Sequence, residues 1–177
     1  RGLEKLISGL LRCKHGPEDL DARHLCQTGV LEAMRAVSSG VPMGASHAIE
    51  HQLGPLGVGH GETSCILLPA VCKFNLKKGV NNDRQKRTVE IFLKQDTVKS
   101  LLDAKKISGK DVDLGDILDL IIRELGMPRT LKDVGVTSDH LPGLAANSLN
   151  DIWIKTNPYK ITKKEEVLEI LKDVTDD

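Results

Sequence analysis

Aromatic side chains are nearly absent from this chain, with one Trp, one Tyr and two Phe in 177 residues. Few platforms therefore exist on which nucleic-acid bases could stack, and the core has to be built from Leu, Ile, Val and Ala. An excess of charge of either sign is missing too. The 25 basic and 25 acidic side chains are interspersed and cancel formally, so no field draws in nucleic acid or an anionic membrane. No apolar run approaches the roughly 20 residues of a membrane span, and no charged-then-apolar leader opens the sequence. A soluble protein of the cytoplasm is the expectation. Cys13, Cys26, Cys65 and Cys72 form no C-x-x-C pair and sit among apolar neighbours, which predicts reduced, buried thiols rather than a disulfide or zinc cluster. Arg1 is not an ordinary starting residue, so the sequence reads as trimmed or as a piece of a longer product.

Alternating strand patterns and internal repeats are also lacking, which leaves helices. At this length one domain is the default. Leu3, Leu6, Ile7, Leu10 and Leu11 recur at helical spacing up to a break at Lys14 to Pro17, with His15 solvated in the break. Leu20, Leu25, Val30, Met34 and Val37 mark a second helix, with His24 on its surface. Cys65 to Phe74 is apolar nearly all round, as for a helix in the middle of a bundle, with a kink at Pro69. A charged connection over Lys77 to Arg87 precedes a helix from Val89 to Leu102, and a loop covers Lys105 to Asp113. Leu114 to Leu125 carries the cleanest stripe. A further helix is predicted within Ser138 to Asp151, and Thr162 with Glu165 reads as a capping box for a last one. The fold class is all-α, a helical bundle.

The chemistry gathers between Gly44 and Asn75, which holds three of the six histidines. His47 and His51 are four apart and share a face if Gly44 to Leu53 is helical. Gly54-Pro55 must end that helix, and His60 opens the next, so a third imidazole can return toward the first two. Such a trio can hold a divalent metal with an open position, or work as acid and base without one. Glu50, Thr63 and Ser64 are the candidates for lining a substrate pocket, although Glu62, Thr63 and Ser64 also suit a helix cap. Gly57 to Gly61 has the look of a phosphate cradle, but it lacks a P-loop lysine and follows no strand. His47, Glu50 and His51 also fit H-x-x-E-H, the inverted zinc-protease pattern; a motif so short arises by chance, and a strand-rich setting is missing.

In one register, Gly44, His47-Ala48, His51, Leu53-Gly54, His60-Gly61, Leu68-Pro69, Val71 and Phe74-Asn75 resemble the iron-containing alcohol dehydrogenase family, of dehydroquinate synthase-like fold, and in particular its maleylacetate reductase-like branch. Gly126-Met127-Pro128, Leu131, Gly135-Val136, Asn157-Pro158 and Thr162 extend the likeness over nearly the whole chain. The resemblance implies metal ligands at His47 and His60, with iron or zinc as the metal, and a proton-relay histidine at His51. Catalysis would then rest on His51, His47 and His60. It also implies that the family's N-terminal half, which carries the nucleotide-binding domain, and the first helices after it, which supply an aspartate and a histidine to the metal, lie outside residues 1 to 177. This chain alone is therefore not expected to hold NAD(P). Glu50 stands where small residues are common in the family.

Three functions follow as expectations. The preferred one is a stand-alone helical domain whose histidine pocket does non-redox acid–base or metal-assisted work on a small molecule, as a lyase, isomerase or cyclase. Its alternative is the C-terminal half of an NAD(P)H-dependent, metal-dependent reductase, and the third is a non-catalytic binding or assembly module. A homodimer or complex covering a bare apolar face is expected as well, and a stable monomer in light scattering would count against it.

Overall fold

The computed structural model describes residues 1–175 and contains no strand among them. Nine α-helices follow in order: α1 (Gly2–His15), α2 (Leu20–Ser38), α3 (Ala45–Leu53), α4 (His60–Lys77), α5 (Asn82–Leu93), α6 (Asp96–Ala104), α7 (Leu114–Leu125), α8 (Leu141–Ser148) and α9 (Lys164–Lys172). Short 3₁₀ turns at Gly54–Leu56, Lys132–Val134, Ser138–His140 and Ile152–Thr156 join them. None of these helices is long and apolar enough to cross a membrane.

The chain divides into two compact units, one of residues 1–41 with 83–117 and one of residues 42–82 with 118–177. In the first, α1 packs along α2, with Ile7 and Leu11 buried. Asp19 caps α2 by accepting from the Ala22 amide at 2.9 Å while Arg12 donates to its other oxygen at 2.7 Å. That cap satisfies a donor the helix start would otherwise leave open. The far face of α2 is apolar yet exposed at Leu20, Val30, Leu31, Met34 and Val37, as is Val41 beyond its end. His15 and His24 are exposed, as the break around the first and the charged neighbours of the second predict.

The second unit contains the principal core, in which Ile49 and Leu53 of α3, Ile66 and Leu67 of α4, and Val167, Ile170 and Leu171 of α9 are all buried. As predicted, α4 is apolar on most sides, and Pro69 lies inside it without ending it. Three boundaries differ from the sequence expectations. The stretch predicted as one helix from Val89 to Leu102 is two, because the backbone leaves helical geometry at Gln95 and restarts at Asp96. The charged connection shrinks to Lys78–Asn81, since α4 keeps Lys77 and α5 opens at Asn82. The cap of α9 is shifted by one residue: Glu166, not Glu165, reaches back to accept from the Thr162 and Lys163 amides, both at 2.9 Å. None of the four cysteines forms a disulfide, as predicted, but they are half-buried rather than buried.

Glu166 makes the unit's stability depend on acid. Its carboxylate accepts the Thr162 and Lys163 amides and the Tyr159 hydroxyl, and these bonds, the Thr162 amide foremost, hold its pKa below the ordinary 4.5. A carboxylate depressed in the folded state contributes stability in full above its unfolded value and loses it as pH falls through the folded one. Denaturation midpoints should therefore hold steady from neutrality down to about pH 5.5 and fall below about pH 4.5. In Glu166→Gln the neutral-pH midpoint should be lower and the acid slope shallower; an unchanged slope would remove Glu166 from this role.

Candidate functional site

The turn after α3 places the histidines. Pro55 sits in the 3₁₀ turn, and Gly57 closes it with φ of 85°, a left-handed conformation that favours glycine over residues with a Cβ. The chain reverses there, and His60 becomes the first residue of α4. Glu62 fixes that start by accepting the Gly59 amide at 3.1 Å.

The start of α3 is fixed by a buried amide pair. Asn157 Oδ1 accepts from the Ala45 backbone N–H at 3.2 Å and from Asn75 Nδ2 at 3.3 Å, while its own Nδ2 donates to Asn75 Oδ1 at 2.9 Å and to the Tyr159 carbonyl at 2.8 Å. One side chain thus ties α3, α4 and the segment after Ile152–Thr156 together. Gly44 lies against it, where an added Cβ would stand 3.2 Å from Asn157 Oδ1. The Thr156 hydroxyl adds a bond to the Met43 carbonyl.

On this frame three predicted histidines converge. The His47 ring lies 4.5 Å from the His51 ring and 5.2 Å from that of His60, both edge to face. Glu50 Oε2 stands 3.1 Å from His47 Nδ1 and 3.9 Å from His60 Nε2. One donor atom from each of His47, Glu50 and His60 falls within 4.8 Å of the others. The Glu50 side chain is 3% exposed, against 66% for His60. A carboxylate so buried needs opposite charge or strong donors beside it. Two imidazoles and a carboxylate are a donor set for zinc or ferrous iron, so these residues fit a divalent metal.

His51 faces elsewhere. Its Nδ1 lies 2.7 Å from Asp151 Oδ2, and the other Asp151 oxygen accepts the Trp153 amide at 2.9 Å. Asp151 therefore caps the Ile152–Thr156 turn and orients His51 with one group. Trp153 is set by the same cap, its ring 6.0 Å from that of His47. His51 is not part of the donor cluster, which pairs His47 and Glu50 with His60 and differs in this from an H-x-x-E-H zinc site.

Of the other pocket candidates, Thr63 is fully buried and its hydroxyl donates to the His60 carbonyl at 2.7 Å, so it belongs to the helix start. Ser64 is half-buried on the next position. Burial first, then the negative charges of Glu50 and Glu62, push the Cys65 thiol up, which keeps it from acting as a thiolate. Asp151 and Trp153 were not singled out from sequence. The available signal was Asn150-Asp151 ahead of an apolar triplet, a cap-like start whose long-range partner His51 no local pattern shows.

The second unit is thus helical throughout its described residues and presents two helix-borne imidazoles and a buried carboxylate, a donor set that fits a divalent metal. Residues 1–175 match the description "Fe-containing alcohol dehydrogenase family, C-terminal", and the chain belongs to that family. It is 42% identical over 173 residues to "Dehydrogenase ALT3" of Alternaria alternata, covering 97% of this chain and 44% of that protein. It is 37% identical over 171 residues to "Dehydrogenase FUM7" of Gibberella moniliformis, covering 96% and 40%. The chain thus spans less than half the length of these relatives. Its fold is similar to that of part of 1,3-propanediol oxidoreductase, at a TM-score of 0.72 and 24% identity over 98% of this chain and 44% of the other. Maleylacetate reductase from Rhizobium sp. strain MTP-10005 superposes at 0.65 with 22% identity, over 98% and 43%.

Proposed function

We propose that this chain is the metal-holding helical half of a nicotinamide-dependent reductase or dehydrogenase acting on a small carbonyl or alcohol. The convergence of His47 and His60 on one point carries the reading. The relatives named above are dehydrogenases. That moves the reading away from non-redox lyase, isomerase or cyclase chemistry, the expectation for the chain alone, to the oxidoreductase held as its alternative.

His47 and His60 would hold the metal from two different helices, so the spacing of their imidazoles depends on the turn at Gly54–Leu56 and on the Asn157 anchor. A metal held there would supply Lewis-acid polarisation of a carbonyl oxygen, and a nicotinamide held by a nucleotide-binding half would supply the hydride. With Asp151 on Nδ1, His51 presents Nε2 as the atom that moves a proton to or from the substrate oxygen.

The test joins this chain to the part of the Alternaria relative that it does not cover and follows NAD(P)H oxidation with short aldehydes. Activity should vanish on chelation and return with ferrous iron or zinc. Turnover of a substrate by the chain alone, with no nicotinamide, would instead restore the non-redox reading.

A further inference from the structure

We propose that Glu50 is itself a metal ligand, giving His47, Glu50 and His60 a three-donor site built wholly from this chain. The inference rests on the metal-holding reading above and goes beyond its two histidines. His47 and Glu50 are three apart on α3 and so lie one above the other on one face. His60 comes from the first turn of α4 and meets the same carboxylate oxygen.

Ligand atoms bound to one tetrahedral ion at about 2.0–2.2 Å lie roughly 3.3–3.6 Å from one another. The 3.1 Å between Glu50 Oε2 and His47 Nδ1 is already close to that spacing, and the 3.9 Å to His60 Nε2 exceeds it by a few tenths of an ångström. His60, two-thirds exposed, can close that gap by a ring rotation, whereas Glu50 is packed in place. The carboxylate also brings the negative charge that two neutral imidazoles lack. Three donors leave positions open for water, for substrate or for the further ligands that the resemblance places outside residues 1 to 177.

The competing role for Glu50 is to accept the His47 Nδ1 proton and so orient a ligating Nε2. Titration of the 177-residue chain with Co²⁺, read by visible absorption and calorimetry, separates the two. The native chain should take up one equivalent. Glu50→Gln should weaken Co²⁺ binding by more than about 100-fold and change the visible spectrum, beyond the roughly 10–100-fold that loss of an outer hydrogen-bond partner costs. His24→Gln, on the exposed face of α2, should bind as the native chain does. A Glu50→Gln chain that keeps the native spectrum with a loss under about 100-fold overturns the proposal and leaves the metal-holding reading standing. Absence of Co²⁺ uptake by the native chain overturns it too, while the chelation experiment on the joined protein tests that reading separately. If circular dichroism shows Glu50→Gln unfolded, Glu50→Asp decides: a carboxylate set back by one methylene should bind with a shifted spectrum, and an unshifted one refutes ligation.

Discussion

In Asn157→Ala the second unit is expected to lose about 2–5 kcal/mol of unfolding free energy, a large share of what a domain this size has. The truncation leaves the Ala45 N–H, both ends of the Asn75 amide and the Tyr159 carbonyl without the partner they share. Each orphaned buried group costs on the order of 1–3 kcal/mol, and a half-satisfied network is worse than its pairwise sum. Asn157→Asp is the sharper probe, because it keeps the shape and the acceptor to Ala45 but removes both donors. Urea denaturation followed by tryptophan fluorescence measures the effect cleanly, since the one tryptophan, Trp153, belongs to this unit. A loss below about 1 kcal/mol would mean that the amide pair does not anchor α3. The consequence for chemistry is direct. Freeing the start of α3 lets His47 and Glu50 drift from His60, so metal affinity should fall with stability.

His51→Ala in the joined reductase should lower the rate of carbonyl reduction by about 100- to 10,000-fold, the range for loss of a positioned acid–base group. Asp151→Asn should lose less, on the order of 10- to 100-fold, because the ring remains but its orientation is no longer enforced. A rate equal to that of the unaltered protein would remove the pair from catalysis.

How much of this could be read from sequence follows from the range of the interactions. Helices with a strong apolar stripe, such as Leu114–Leu125, and the break at Gly54-Pro55 are set within a few residues, and both stand where expected. The meeting of His47 with His60 was legible for the same reason, as a helix, a short turn and a helix leave few ways to arrange them. Asp151 lies 100 residues from His51, and Asn157 lies 112 from Ala45. Such pairings depend on how α3, α8 and the Ile152–Thr156 turn pack, which no local pattern encodes. The break at Gln95 was missed because apolar spacing resumes across it, and the spacing alone cannot reveal a single residue in extended geometry. Glu50 was visible as a residue out of keeping with the resemblance, yet only the fold shows its carboxylate turned inward between two imidazoles.

Hydride tracing in the joined protein tests the central claim most directly. With NAD(P)D carrying deuterium at the transferring position, an aldehyde substrate and the native histidine site, the alcohol formed should carry one deuterium on its carbinol carbon. That transfer should stop in His60→Ala and on chelation. A folded, metal-loaded protein that forms product without deuterium, or that transfers it equally well after His60→Ala, would contradict the account.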